Sequence, residues 1–401
     1  MSRYFFTQYT FPFLIILCLS FNTISAEENR APADIYISTK GADTNPGSRE
    51  KPFATIERAQ KAVRELVAAG LKKDIRVELG NGIFFLDKTL TIDAADSGTD
   101  TYSITWSGAA DKATRISGGR RITGWKKKDK NVWETTIPEV KSGQWIFEEL
   151  FVNGRRATMA RDPNTGYFRV VRPGKDNHTS FYYRGNDIRP YKKFEQAAVI
   201  LLSEWNTSRI RIAGVNPEKK MVRFKYRKIN HPRDKYRITG FEPHPPYFVE
   251  NAIELLDHPG EWYLDRDTGV LSCIPLEGDN LTEAEVIASR IDPLIQIAGN
   301  GEKGAFVKNI HFENISFEHS ATLYDLACYA GGQAGNHKSE HGRGIMLAAV
   351  RVNGARKCSF RKCCFQHVGG SGLSIGRWCA DNRVSCCEIS DCGGSAIKIG
   401  V

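Results

Sequence analysis

Beyond residue 26 the sequence lacks any apolar run approaching the roughly 20 residues that a membrane-spanning helix needs, so no transmembrane segment is predicted there. It also lacks the composition of a coiled coil or of collagen. Its cysteines lack metal-binding spacing: Cys363-Cys364 and Cys386-Cys387 are adjacent pairs, and the neighbouring histidines complete no zinc pattern. No nucleophile elbow is present, which leaves a Ser-His-Asp hydrolase possible in composition only. No dense aspartate cluster for calcium is present either, and neither metal nor cofactor is expected. Acidic residues are outnumbered, with 56 Lys and Arg against 46 Asp and Glu, a formal charge of +10. The basic residues are dispersed, so the excess suits an anionic partner without pointing to nucleic acid.

What is present is a globular composition: 401 residues, 41% of them hydrophobic, with 36 glycines that favour turns over long helices. Residues 11 to 21 form a short apolar core, and Asn22-Thr23-Ile24-Ser25-Ala26 supplies small residues for cleavage. This reads as a secretory signal over 1–26 and predicts a secreted or periplasmic protein. The run is too short for a membrane anchor, and Cys18 follows Ile-Ile-Leu, unlike a lipobox. Arg3 leaves with the leader, so the mature chain carries 55 − 46 = +9. Nine cysteines remain, seven of them within 358–392. Export permits disulfides, but their connectivity is not readable from spacing.

Self-comparison of the C-terminal end fixes the fold class. Cys363-Cys364-Phe365-Gln366-His367-Val368-Gly369-Gly370-Ser371 returns as Cys387-Glu388-Ile389-Ser390-Asp391-Cys392-Gly393-Gly394-Ser395, an offset of 24 without a gap. Ile310, Phe312, Ile315, Phe317 and His319 match Cys358, Phe360, Cys363, Phe365 and His367 at 48, two repeat lengths. Alternating β-branched and aromatic residues bounded by glycine signal short strands, and a period of this size signals a solenoid. The predicted fold is all-β, a right-handed parallel β-helix in which equivalent side chains stack about 4.8 Å apart. Ile315, Cys363 and Cys387 would share one interior column, and Phe317, Phe365 and Ile389 another. Cysteines in such columns read as core filler in preference to disulfides or ligands. With Ile345 and Leu347 taken as counterparts of Leu373 and Ile375, one coil gains about 20 residues between His319 and Arg343, plus a short extension before Cys358.

Upstream, Asp34 to Ser38 reads as a strand. A helix follows with Ile56, Ala59, Val63, Leu66 and Val67 on one face and Gly70 ending it, suited to cap the open end of the solenoid. Strands at Ile75 to Leu79, Ile83 to Leu86 and Tyr102 to Trp106 begin the coils. From about Arg121 to Arg290 the rhythm gives way to hairpin signals, Asn153-Gly154 among them. The expected organisation is therefore signal peptide 1–26, cap and first coils 27–120, an inserted antiparallel β-rich domain 121–290, and coils 291–401. Trp125, Trp133, Trp145, Trp205 and Trp262 could stack on sugars, although core packing is the ordinary role of tryptophan.

Several segments carry a family likeness. Asp43-Thr44-Asn45-Pro46-Gly47 with Lys51-Pro52-Phe53-Ala54-Thr55-Ile56 resembles the N-terminal cap of secreted pectate-lyase-like β-helix proteins. Ile116-Ser117-Gly118-Gly119, Leu150-Phe151-Val152-Asn153-Gly154-Arg155-Arg156-Ala157 and Gly260-Glu261-Trp262-Tyr263-Leu264-Asp265 are similar to segments of glycoside hydrolase family 141. That family includes α-L-fucosidase and xylanase activities, and the β-xylosidases of family 120 are a looser relative. The likeness spans roughly 34–401 and implies a carbohydrate-active enzyme. It also implies further coils, with acid–base carboxylates, beyond Ile399-Gly400-Val401, where the repeat is still running.

The repeat stacks His319, His367 and Asp391 at one corner, from which the long connection departs. That connection supplies Tyr324, Asp325, Gln333, His337, Glu340, His341 and Arg343, with Gly331-Gly332 and Gly335 letting it fold back. Glycoside hydrolysis needs two carboxyl groups, about 5 Å apart for retention or about 6.5–9.5 Å for inversion. Asp391, Asp325 and Glu340 are the candidate catalytic carboxyls; His319, His367, Tyr324, Gln333, His337, His341 and Arg343 are candidate substrate-binding groups. Glu388 and Asp381 are weaker candidates. The plain alternatives are a solvated loop and a turn aspartate bonding its own backbone. The expected function is hydrolysis of a fucose- or xylose-containing polysaccharide. The alternatives are a lyase on uronate polymers and a non-catalytic carbohydrate-binding protein.

Overall fold

The computed structural model describes residues 33–400 apart from 112, 130, 204–205, 226–237, 241, 323–327, 332–335 and 340–341, with backbone alone at 203, 206, 328–331, 336–339 and 342–345. The expected leader, and Tyr324, Asp325, Gln333, Glu340, His341 and Trp205, lie outside the described residues. No helix among the described residues is long and apolar enough to cross a membrane.

The fold is all-β, with seven separate sheets among the described residues. Four are wholly parallel: a two-stranded one that pairs Val307–Lys308 with Ala355–Arg356, and three larger ones. The first contains Ile35–Ile37, Ile75–Leu79, Ile104–Ser107, Ile310–Glu313, Ser359–Arg361 and Arg383–Ser385. The second contains Gly82–Phe85, Thr114–Ser117, Ser316–Glu318, Cys364–Gln366 and Glu388–Ile389. The third contains Leu90–Ile92, Ile295–Ala298, Ala348–Asn353, Ser371–Ile375 and Ile397–Ile399. Chain order visits the first, second and third sheet in turn. Each sheet therefore pairs strands one repeat apart, which is the physical meaning of the 24-residue period.

The register places Phe317 against Phe365 and Phe365 against Ile389, as the repeat predicts. The two phenylalanine rings stack with centroids 5.1 Å apart. Cys358, Cys363 and Cys364 are buried, and Cys273, Cys358, Cys363, Cys379, Cys386 and Cys392 form no disulfide among the described residues. The turns also repeat. Asn309, Lys357 and Asp381, then Asn314, Lys362 and Cys386, then His319, His367 and Asp391 all have positive φ, between 46° and 61°. Asn, Asp and His tolerate this left-handed region better than most residues, so residue type marks the third set throughout, but not Lys357, Lys362 and Cys386 in the first two.

Thr55 caps the helix Ile56–Ala68 through a bond from the Arg58 N–H, and Asp43 holds Thr55 in turn. Its buried face, Ile56, Ala59 and Val63, joins the core of the parallel sheets. Val67 packs against that core, whereas Leu66 is exposed, a correction to the predicted face. Gly70, at φ 84°, follows the helix as expected.

Between Ser117 and Ile295 the pairing becomes mostly antiparallel. Asn153-Gly154 turns a hairpin that pairs Val152 with Arg155, and Trp262 to Leu271 forms a second hairpin. Trp125, Trp145 and Trp262 are buried and Trp133 packs against the same core, so these four fill an interior. A separate core centred on Phe181, Tyr247 and Val249 supports an 11-stranded sheet.

The long connection after Glu318 differs from expectation in two ways. Val350 and Val352, not Ile345 and Leu347, pair with Leu373 and Ile375, an offset of 373 − 350 = 23. The extra residues thus lie in the connection after Glu318, and no extension precedes Cys358. Nor does the connection simply fold back as a loop. Cys328–Gly331 pairs antiparallel with Asn206–Asn216, and Asn336–Ser339 and Gly342–Ile345 extend that sheet, so the connection builds onto the inserted sheet.

Candidate functional site

The third column of left-handed turns gives the site its frame. The His319 N–H donates to the His367 carbonyl at 3.0 Å, and the Val368 N–H to the Asp391 carbonyl at 3.2 Å. The two imidazoles stack 5.8 Å apart, and His367 Nδ1 lies 2.7 Å from Asp391 Oδ2. A carboxylate only accepts, so Nδ1 carries the proton and Nε2 is left for another partner.

The hairpin closes over this column. Phe151 sits with its ring centroid 4.8 Å from His319 and 5.2 Å from His367. Arg156 lies 4.8 Å from the Phe151 ring centroid, and its Nε donates to Asp391 Oδ1 at 2.8 Å. Its Nη2 donates to the carbonyls of Val368 and Asp391. Arg156 therefore ties the inserted sheets to two successive corners. It belongs to a family-like segment, but nothing in the sequence pairs it with a residue 235 positions away.

The electrostatics separate the groups by role. His319 is 1% exposed, with Ser117 Oγ 3.0 Å from its Nδ1. Burial, reinforced by His367, Arg115 and Arg156 and opposed by Asp391, pushes its pKa down to about 3, so it is a neutral ring at physiological pH. Partial burial acts to raise the Asp391 pKa, but the bonds from His367 and Arg156 outweigh it and hold the carboxyl below its ordinary range.

A second carboxyl, missed in the sequence, lies beside the corner. Glu149 directly precedes the hairpin strand Leu150–Val152. Its Oε2 accepts from Ser289 Oγ and its Oε1 from Thr322 Oγ1, each at 2.5 Å. A Cβ on Gly369, two residues past His367, would lie 2.6 Å from Oε1. Burial raises the Glu149 pKa, against the two hydroxyl bonds and Arg156. Two carboxyl groups near one arginine are thus driven apart, one towards the ionised form and one towards the protonated form, as general acid–base chemistry requires.

The structure joins three of the sequence-predicted residues, His319, His367 and Asp391. It places His337 opposite Gly331 and Gly344, and Arg343 opposite Lys338, on backbone alone. Glu388 and Asp381 are exposed. Another buried acid, Glu318, accepts from Ser316 Oγ at 2.6 Å and Gln366 Nε2 at 2.8 Å and so links two paired parallel strands. No group of three His, Cys, Asp or Glu among the described residues is arranged to hold a metal ion.

Comparison with known proteins agrees with the segment likenesses. Residues 130–276 match the family model of the GH141 insertion domain. A solved structure named "Glycoside hydrolase" superposes with a TM-score of 0.74 at 24% identity, covering 90% of this chain and 74% of that one. A second, "The complex structure of XylC with xylose", aligns at 13% identity with a TM-score of 0.41, over 86% of this chain and 42% of that one. No curated protein matches. The chain thus shares its fold with a solved glycoside hydrolase and resembles family 141 in its inserted domain. Together these support a glycoside hydrolase.

Proposed function

We propose that this chain is a secreted glycoside hydrolase acting on a fucose- or xylose-containing polysaccharide. Its three larger parallel sheets are read as the faces of a right-handed β-helix, because a strand, crossover and parallel strand are nearly always right-handed. The observation that carries the reading is the corner where a family-141-like inserted domain meets the coils with two carboxyls in opposed environments. Asp391 is the ionised carboxylate, and His367 fixes its orientation. The proton-bearing partner is Glu149, Asp325 or Glu340. His367, Tyr324, Gln333, His337, His341 and Arg343 are the groups assigned to sugar hydroxyls, whereas His319, 1% exposed, is read as support beneath His367.

The test incubates the chain, beside Asp391→Ala, with fucosylated, xylose-containing and uronate polysaccharides and identifies products by mass spectrometry. Saturated sugars released by the parent and lost in the variant support the assignment. Glu149→Gln, Asp325→Asn and Glu340→Gln then identify the partner by the largest loss. Products with an ultraviolet-absorbing double bond would instead mean a lyase. No product from a folded protein would leave only a binding role.

A further inference from the structure

The inserted domain carries an open groove of about 710 Å3, away from the residues of the corner. Its walls come from three places. Phe168 and Arg169 form one short strand, Arg184 and Asp187 follow the strand Ser180–Tyr182, and Glu242 and His244 precede the strand Pro246–Glu250.

The polar groups are fixed in position but not used up. Arg169 Nη1 donates to Glu242 Oε1 at 2.6 Å and to the His244 carbonyl at 3.1 Å, clipping one wall. His244 Nδ1 lies 2.9 Å from the Val170 carbonyl, which only accepts, so that nitrogen is the donor and Nε2 is left for a ligand. Asp187 Oδ2 accepts from the Tyr247 hydroxyl at 3.2 Å. Asp187 Oδ1 and the Arg184 guanidinium take no hydrogen-bond partner among the described residues. Beside these groups lies an apolar surface, the half-buried Phe168 and the exposed Val171.

Unused donors and acceptors next to an apolar wall match a sugar ring, whose hydroxyl rim seeks fixed polar partners while its C–H face covers hydrophobic surface. The charges decide between sugars: Arg169 and Arg184 balance Asp187 and Glu242, leaving no net charge to attract a uronate. We propose that this groove binds a neutral sugar residue of the polysaccharide, holding the polymer on the inserted domain. This rests on the glycoside hydrolase reading.

The test runs the full chain through native gels containing xyloglucan or polygalacturonate. Retardation by xyloglucan and not by polygalacturonate is expected. Arg184→Ala and Glu242→Gln should each weaken it about tenfold, the loss of one charge-assisted hydrogen bond, with turnover of a short soluble oligosaccharide unchanged. Both residues lie at the surface of the groove, and equal thermal midpoints confirm that the variants are folded. Unchanged retardation in both variants, alongside released sugar, overturns the groove and leaves the hydrolase reading standing. Stronger retardation by polygalacturonate overturns the neutral-sugar assignment. Neither binding nor release from any polysaccharide overturns both.

Discussion

His319→Asn gives the sharpest test of the corner's electrostatics. The native ring has a pKa of about 3 against an ordinary 6.5. Between those values the unfolded chain binds a proton that the folded chain refuses, so stability is full above pH 6.5 and falls as the pH drops towards 3. At pH 5 the ordinary histidine is 1.5 units below its pKa, which amounts to about 2 kcal/mol of lost stability. Asparagine tolerates the left-handed turn at φ 61° but carries no titrating ring. At pH 7.5 the variant should be weaker by about 2–3 kcal/mol, from lost packing against Phe151 and His367. At pH 5 the gap should shrink by about 2 kcal/mol, because only the parent suffers the proton linkage. The assay is guanidinium unfolding at both pH values, with midpoints and slopes compared. Other titrating groups are common to both proteins and cancel in the difference. A gap constant to within about 0.5 kcal/mol would refute the idea that a buried neutral imidazole sits at this corner.

Four further outcomes are expected. Phe365→Ala removes a fully buried ring stacked on Phe317 and should cost about 3–5 kcal/mol in denaturant unfolding. Gly354→Ala forces a Cβ to 2.4 Å from the Gly299 carbonyl at φ 58°, so a loss of at least about 2 kcal/mol is expected; an unchanged midpoint would contradict the close approach of these coils. Arg156→Ala should cost only about 1 kcal/mol, because its ion pair with Asp391 is partly exposed, and the cost should shrink in high salt. Alkylation of the native protein followed by peptide mapping should label exposed Cys386 well before Cys358, whose thiol burial pushes up to about 11, or the fully buried Cys363.

The parts of the fold legible in the sequence are those set by local rules repeated in register. Phe317, Phe365 and Ile389 announce a column because each coil must present an apolar residue to the same interior, and the Asn153-Gly154 hairpin follows from one dipeptide's tolerance of positive φ. The rest depends on partners far apart in the chain. Ile345 and Leu347 imitate the spacing of Leu373 and Ile375, yet Val350 and Val352 take the pairing. Apolar alternation alone cannot distinguish two candidate strands five residues apart. The same limit hid the union of Cys328–Gly331 with Asn206–Asn216, since an edge strand recruits a neighbour by backbone bonds that leave little trace in side chains.

The candidate site divides in the same way. Its column was readable because the turn conformation restricts residue type: His319, His367 and Asp391 occupy equivalent left-handed positions, where few side chains are at ease. Glu149 and Arg156 were not, because each acts across the boundary between the inserted sheets and the coils. That boundary gives the corner its chemistry. Without Arg156, partial burial would raise the Asp391 pKa with only His367 opposing it; without the cover of Ser289, Thr322 and Gly369, Glu149 would meet water and ionise normally. The opposed states of the two carboxyls therefore belong to the docked arrangement and to neither segment alone. Arg156→Ala should therefore raise the Asp391 pKa back towards that of an ordinary carboxyl and push the Glu149 pKa further up, because Arg156 favours the ionised form of both, a pair of shifts that carboxyl-carbon NMR titration would register directly.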